Sequence, residues 1–520
     1  MKNPNRFDRR RLRLDPFIRG FFGGNAMIAI IVLGLITFFL FREGAQFFPQ
    51  NLQNLRLYRK AGLEYVGLMR DQTDAHAALN RSFQDLRVRQ IMAMLKAGKT
   101  QEEAQAALAE FDAYATQFDS AVGDLRSLVS DLTDEVTAIK EKAKIHDDAL
   151  EQREFLLNEG KKAEADAVKS ATVDFKAELA PVLATFPVYT AAVATLKQNL
   201  QIVLEKPLTL PVPEYQPRYK HFQSAVQAYL KTFPETEEKL KNWRADAPVP
   251  WWRSITSFLF GTEWITNSFW QDWYGILPLL AGSLLVSIIA LVIAVPLGVC
   301  AAVYVSELAR PAEAKFIKPY LEFISAIPSV VLGFFGIAVL GEHIRQLTQW
   351  HALSWISAFP IAERLNAFTA GALLALMAIP TIFSLSEDAL NSIPRHFKEA
   401  SYALGATRLQ TIWRVLVPAS LSGIVSAVLL GFGRVIGETM VVLLCAGNRI
   451  AIPDFTEGIG TVFQPVHTMT GIVAQELGEV ANGTLHYRAL FMVGLFLFFL
   501  ALFINWLAQT VVRKYKISIG

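Results

Sequence analysis

Residues 274–306 read YGILPLLAGSLLVSIIALVIAVPLGVCAAVYVS, 33 consecutive positions without a charged side chain. A helix rises about 1.5 Å per residue and a bilayer core is about 30 Å thick, so roughly 20 apolar residues make one crossing. This run is longer than a soluble core helix needs and predicts a transmembrane span. Working outward, 20–41, 323–341, 365–386 and 489–512 are equally free of charge, and 420–447 carries only Arg434 and Glu438. Six spans are the simplest count. Over the whole chain of 520 residues, 52% are hydrophobic, 19% are charged and the mean hydropathy is +0.30. That is too apolar for a purely soluble enzyme and too charged for a chain that is membrane throughout.

The basic residues orient the spans. Lys2, Arg6, Arg9, Arg10, Arg11, Arg13 and Arg19 make 1–19 a basic segment ahead of the first span. This predicts a cytoplasmic N-terminus. Arg42-Glu43-Gly44-Ala45 offers no small-x-small cleavage site, so 20–41 reads as an anchor and not a cleaved signal. Six crossings return the tail 513–520, with Arg513, Lys514 and Lys516, to the same side. The segment 387–419, with Arg395, Lys398, Arg408 and Arg414, falls there too. The expected location is the bacterial inner membrane, with both termini cytoplasmic and 42–273 periplasmic.

The stretch 50–180 has no proline and only five glycines, which predicts long helices. Ala104, Leu108, Phe111, Ala115, Phe118, Val122, Leu125, Val129, Leu132, Val136, Ile139, Ala143, His146 and Leu150 follow one another at spacings of four and three. This is the 3.5-residue period of a coiled coil, and 47 residues of it would make a rod of roughly 70 Å. The stripe needs a partner. A turn at 158–162 and a returning helix through Val168, Ala171, Phe175, Leu179 and Val182 predict an antiparallel helical hairpin, with an intermolecular coil as the alternative. The prolines from Pro181 onward, Pro187, Pro207, Pro211, Pro213, Pro217 and Pro234, predict an irregular return path to the membrane. Six tryptophans between 243 and 273 suit a bilayer interface.

Several function classes are excluded. Lys+Arg 50 against Asp+Glu 47 leaves a net charge of +3, without the excess of cations that a nucleic-acid binder needs. The only cysteines, Cys300 and Cys445, lie in apolar runs and read as packing residues. No metal-ligand spacing and no catalytic constellation occurs, so no metal and no cofactor is expected. Gly98-Lys99-Thr100 lacks the glycine five residues earlier that a phosphate-cradling loop requires, position 93 being Ala.

Between the fourth and fifth spans, Glu399-Ala400-Ser401-Tyr402-Ala403-Leu404-Gly405 continues to Val415-Leu416-Val417-Pro418. This resembles the E-A-A-x-x-x-G-x(9)-I-x-L-P signature of ABC importer permeases. The departures are Ser401 for Ala, Val415 for Ile and Val417 for Leu. A short helix through Glu399 and Ala400 should end near Gly405. Small residues there let another protein approach, Glu399 puts charge at the rim, and Pro418 is expected to break the backbone before the membrane. The strings Ser325-Ala326-Ile327-Pro328-Ser329, Ser306-Glu307-Leu308 and Gly433-Arg434-Val435-Ile436-Gly437-Glu438-Thr439-Met440 are similar to the phosphate-specific (Pst) permeases, of the PstC type.

The resemblance covers roughly 275–512 and the first span. It implies an all-α polytopic membrane protein with six transmembrane helices of the ABC importer permease type, plus the helical coiled-coil hairpin insertion at 42–273. The permease domain would then be 274–512. It implies a transporter subunit, not an enzyme, that moves inorganic phosphate. The implied partners are a second permease resembling PstA, a dimer of a separate ATPase docked on Glu399, Ala400, Ser401 and Gly405, and an extracytoplasmic phosphate-binding protein. No role for the insertion is implied.

A charge at mid-bilayer costs at least about 2.5–3.5 kcal/mol, so Arg434 and Glu438 need a partner or a polar path. Their i, i+4 spacing would place them on one helix face as an ion pair. One reading is mutual neutralisation that glues helices together. In the other, implied by the resemblance, Arg434 meets a passing oxyanion through its planar fork. Glu438 would then hold it, weaken its grip or repel the anion. Gly431, Gly433 and Gly437 would allow close helix approach. Another oxyanion, molybdate or sulfate, is the alternative cargo. A membrane-anchored sensor is a remote alternative, because the longest cytoplasmic segment, 387–419, is only 33 residues.

Overall fold

The computed structural model describes residues 6–168, 172–206, 208–266, 268, 270–353, 356, 359–361 and 363–515, without side-chain detail at 6–18, 351 and 511–515. Lys2, Ala171, Pro207 and Lys516, used in the sequence reading, lie outside this set. The chain forms two compact units. One is Met1–Asn51 with Trp252–Thr266 and Trp273–Gly520, and the other is Leu52–Trp251 with Asn267–Asp272.

Helix α1 (Arg6–Ala45) holds the first span, and every described side chain from 19 to 36 is exposed. Its C-terminal part packs on the last helix of the chain. After α2 (Phe47–Lys60), the second unit is a bundle of α3 (Leu63–Lys96), α4 (Gln101–Ala107), α5 (Ala109–Ser120), α6 (Gly123–Asn158), α7 (Lys162–Ala167), α8 (Phe175–Ala184), α9 (Phe186–Glu205), α10 (Gln216–Leu230) and α11 (Phe233–Lys241).

The regular seam is buried from Ala104 to Ala143, but it does not form one rod. The helix bends at Leu108 and again at Ala121–Val122, giving α4, α5 and α6. All three pack on α3, which precedes them across a turn at Gly98, and α8 and α9 cover α6 from the other direction. The expected return through the turn at Gly160 to α8 does pack on α6, and α3 adds a further partner, so the seam lies inside a multi-helix bundle and not a two-helix hairpin alone. At its end, Leu150 is exposed. The partner α3 was hidden from periodicity because its buried face includes Gln72, Thr73, His76 and Gln90.

The later prolines start helices: Pro187, Pro217 and Pro234 sit in the first turns of α9, α10 and α11. There the missing N–H has no helical partner to lose. Ring stacking fills the centre, with Phe83 on Phe111 at 4.2 Å and on Phe222 at 4.6 Å.

His76 lies in this core, fully buried and stacked on Phe118 at 4.5 Å. Burial pushes its pKa down to about 4, whereas an unfolded chain protonates histidine near about 6.5. The native bundle therefore favours the neutral ring. Its stability is full above about pH 6.5 and declines as pH falls toward 4, by a total of roughly 3 kcal/mol. Thermal unfolding of the full chain should show this acid sensitivity, and H76L should flatten it over the same window. An unaltered pH slope in H76L would contradict the assignment.

The first unit resumes with α12 (Trp252–Leu259) and a two-stranded antiparallel ribbon, β1 (Trp264–Ile265) and β2 (Trp273–Tyr274), with Trp264 paired to Tyr274. Trp264 is buried, whereas Trp251 and Trp252 are exposed. The next elements are α13 (Leu277–Val303), α14 (Pro311–Ser325), α15 (Ser329–Phe335), α16 (Gly341–Leu347), α17 (Ala367–Asn391), α18 (Arg395–Ala403), α19 (Arg408–Thr411), α20 (Val417–Ile436), α21 (Met440–Cys445), α22 (Met469–Glu476) and α23 (Leu485–Tyr515).

Among the described residues, seven helical stretches are long and apolar enough to cross a membrane. Six correspond to the expected spans. The seventh, Phe175–Glu205, spends its apolar residues Leu179, Val182, Tyr189, Val193, Leu196 and Leu200 in the bundle core. The boundaries move most in the third and fifth spans. The third span begins at Ser329, because Ala326–Pro328 separates it from α14, which contains Phe323. The fifth ends at Ile436, not near 447.

The core of this unit joins α13, α15, α17, α20 and α21 through Val286, Ala290, Ala294, Leu373, Ala378, Ile382, Val435 and Cys445. Cys445 packs here as expected, but Cys300 is exposed.

Candidate functional site

Gly431 and Gly423 set the register between α20 and α17. A Cβ at Gly431 would come within 2.9 Å of Ile382, and one at Gly423 within 2.4 Å of Ala389. The two helices thus run antiparallel in tight contact, and Arg434 falls level with the middle of α17. Of the three glycines in this string, only Gly431 serves helix packing. Gly433 faces open space and Gly437 meets only the backbone of its own helix.

Arg434 is exposed and its Nη1 donates to Thr381 Oγ1 at 2.8 Å, one residue past Pro380 on α17. The expected ion pair with Glu438 does not form. Helix α20 stops at Ile436, and Gly437–Thr439 carries Glu438 off the face that Arg434 occupies. The break is stabilised locally. Glu438 N–H donates to Val435 O at 3.1 Å, and Thr470 Oγ1 donates to the Glu438 carbonyl at 2.8 Å. Such partners satisfy the backbone groups that a helix end leaves open.

Glu438 lines a small cavity with the hydroxyl residues Ser283, Ser287, Thr468 and Thr470 on one part of its wall and Val286, Leu374, Val435, Ile436 and Val442 on the rest. Thr468 caps α22 by accepting from Gly471 N–H at 3.1 Å, and Ser283 Oγ accepts from Met469 N–H at 2.9 Å. The two charged residues therefore lie in different places: Arg434 on an open face level with the middle of α17, Glu438 at a recess lined by hydroxyl and apolar side chains.

Beyond the C-terminal end of α17, α18 presents Glu399 and Ala400 to solvent. It ends in a turn at Gly405, whose φ of 81° suits a residue without Cβ. Ser401 does not join that surface. It is buried, with its Oγ 2.9 Å from Thr411 Oγ1, and so locks α18 to α19. Pro418 does not break the chain either. Helix continues from Arg408 to Ile436 through a widened turn at Ile412–Leu416, where Val417 N–H bonds to Ile412 O. An i→i−5 turn relieves the clash a proline ring makes with the carbonyl four residues back.

The surface around Gly405 carries residues that the motif did not single out. Leu404 is 89% exposed, beside exposed Tyr402, Leu409 and Trp413. Their signal in the sequence was an apolar residue inside a polar loop. Behind α18 lie Glu307 and Glu387, two buried carboxylates, with Lys398 and Lys318 on them. In the sequence Glu307 stands in the Ser306-Glu307-Leu308 string and Glu387 at the end of an apolar run, but nothing there pairs them with Lys398 and Lys318.

Among the described residues no cluster has the makings of a metal site.

Residues 294–517 match the family described as the binding-protein-dependent transport system inner membrane component. The chain is 35% identical over 255 residues to a probable ABC transporter permease protein, YqgH, of Bacillus subtilis, covering 47% of this chain and 77% of that protein. It is 33% identical over 280 residues to the phosphate transport system permease protein PstC of Haemophilus influenzae, covering 52% of this chain and 86% of that one. The PstC of Pasteurella multocida is 29% identical over 274 residues, covering 51% and 82% respectively.

Proposed function

Because the chain belongs to the PstC-type ABC permeases of the binding-protein-dependent transport family, we propose that it forms the path by which an ATP-driven importer moves inorganic phosphate across the inner membrane. It is a multi-pass transporter subunit and not an enzyme; a separate subunit hydrolyses ATP. A permease of this kind works with an ATPase, a substrate-binding protein and a second permease, and here we take the second to resemble PstA.

The observation that carries the reading is the exposed guanidinium of Arg434 at mid-depth. Facing lipid, it would cost several kcal/mol, roughly 2.5–3.5 at the least. Facing a water-filled path closed by the second permease, it offers a phosphate oxygen a fixed positive fork. Glu438, at the recess lined by hydroxyl and apolar side chains, cannot hold Arg434 in place, so its proposed part is to repel the anion or weaken its grip once it has arrived. The permease site should bind weakly, with high affinity left to the binding protein.

The basic segments support a topology with both termini, α18 and α19 in the cytoplasm and 42–273 outside. Each ATPase copy would then seat on Glu399, Ala400, Leu404 and the Gly405 turn. Ser401 and Pro418 act behind that surface, Ser401 through Thr411 and Pro418 through the widened turn before α20. ATP binding draws the two ATPases together, and the permease opens outward to take phosphate from the docked binding protein.

The test is ATP turnover by the complete complex, reconstituted with candidate binding proteins. Phosphate-loaded binding protein should stimulate turnover. Stimulation by molybdate or sulfate instead would keep the importer and change its cargo.

A further inference from the structure

The face of α18 turned away from solvent is tied to the spans by a chain of charges. Lys398 Nζ lies 2.5 Å from Glu307 Oε1, and Arg408 Nη2 donates to the Glu307 carbonyl. Glu307 sits in a widened turn, Tyr304–Leu308, that continues α13. Ser306 Oγ lies 3.2 Å from Glu307 Oε1 and donates to Asn391 Oδ1 at 3.0 Å. Asn391 Nδ2 donates to Glu387 Oε1 at 3.1 Å, and Lys318 of α14 closes the series on the same oxygen at 2.5 Å. Both carboxylates are buried, at 7% and 9% side-chain exposure. A buried carboxylate held by a single lysine cannot lose that lysine cheaply, so Glu307 and Lys398 must move together.

The far end of this assembly is the Glu438 recess. Ser283 at that recess and Glu307 at the latch belong to one continuous helix, Leu277–Leu308, and Leu374 at the recess and Glu387 share α17. Two helices thus run from α18 to the recess, each with one internal proline, Pro296 and Pro380.

We infer that the Glu307–Lys398 pair, extended through Ser306, Asn391, Glu387 and Lys318, is the linkage that carries displacement of α18 to α13 and α17. Glu307 and Lys398 are positioning residues: they touch neither ATP nor anion, and act by forcing the spans to follow the docked helix. The inference rests on the importer reading. It adds that docking and power transmission reside on opposite faces of the same nine-residue helix.

The experiment measures phosphate moved per ATP hydrolysed by the complete complex in proteoliposomes, with the ATPase and loaded binding protein present. E307Q and K398M are expected to lower that ratio about 5- to 30-fold while the ATPase still co-purifies in wild-type amount. K398R should stay within about twofold, since it keeps the charge, and the exchanged pair E307K/K398E should recover much of the loss. A merely structural pair would change yield or thermal stability and leave the ratio alone. An unchanged ratio in E307Q and K398M overturns the inference, as does a lowered ratio that neither K398R nor the exchange restores. K398M, at a side chain 27% exposed, carries the test if E307Q does not assemble. A wild-type complex that moves no phosphate counts against the cargo instead, and the ratio is then read with whichever oxyanion stimulates ATP turnover.

Discussion

Replacing Arg434 by glutamine is expected to cut phosphate uptake by at least about a hundredfold while the complex still assembles. The reasoning separates fold from function. Arg434 is exposed, so its truncation leaves no cavity. The hydrogen bond it gives up is the one to Thr381, worth roughly 1 kcal/mol to stability. What disappears is a permanent positive charge in the proposed path of the anion. R434K should fall between, because an ammonium keeps the charge but loses the two-pronged geometry. The measurement is radiolabelled phosphate uptake normalised to assembled complex. Normal uptake by R434Q would remove the arginine from the path and return it to a helix-packing role with Thr381.

L404D should have the second large effect, on the grip of the ATPase. Leu404 is 89% exposed, so a charge there costs the isolated permease little; such surface changes stay within about 0.5 kcal/mol. In a dry protein interface the same carboxylate lacks a partner. Loss of an apolar anchor at an interface costs roughly 2–4 kcal/mol, which is about thirtyfold or more in affinity. Titration of purified ATPase onto the permease checks this. S401A is the contrast: it removes a bond between two buried hydroxyls, so it should lower stability by about 1 kcal/mol and leave ATPase affinity nearly intact. Equal affinity of wild type and L404D would move the docking surface elsewhere.

The spans and the motif-bearing loop were legible because they depend on local quantities. A run of 33 uncharged residues has one physical use, whatever surrounds it. The Phe175–Glu205 stretch marks the limit of that logic. It is apolar enough to cross a membrane, yet its apolar face is used inside a bundle. Length and hydropathy cannot separate lipid from a protein core, since both reward the same side chains. The buried seam from Ala104 to Ala143 and the returning helix α8 that packs on α6 are legible in the sequence, but the further partner α3 is not. Helix α3 faces it with Gln72, Thr73, His76 and Gln90, and a polar-interrupted stripe carries no clear period.

At the site, residue types were readable and their partners were not. Spacing of four suggested that Arg434 and Glu438 share a face, which holds only while the helix continues. Gly437 and Thr439 flank Glu438 where the helix ends, and Thr470, from a distant segment, supplies the hydrogen bond that stabilises the opening. The sequence alone determined that this chain crosses a membrane several times, carries a large helical insertion and displays a short polar helix before its fifth span. The tertiary structure decided which partners the critical residues meet: Arg434 meets Thr381, the Glu438 carbonyl meets Thr470, Ser401 meets Thr411 and Lys398 meets Glu307. The reason is that hydropathy and period are properties of one segment. A side chain's partner depends on the register between two segments, set here by contacts such as Gly431 on Ile382, 49 residues apart in the chain.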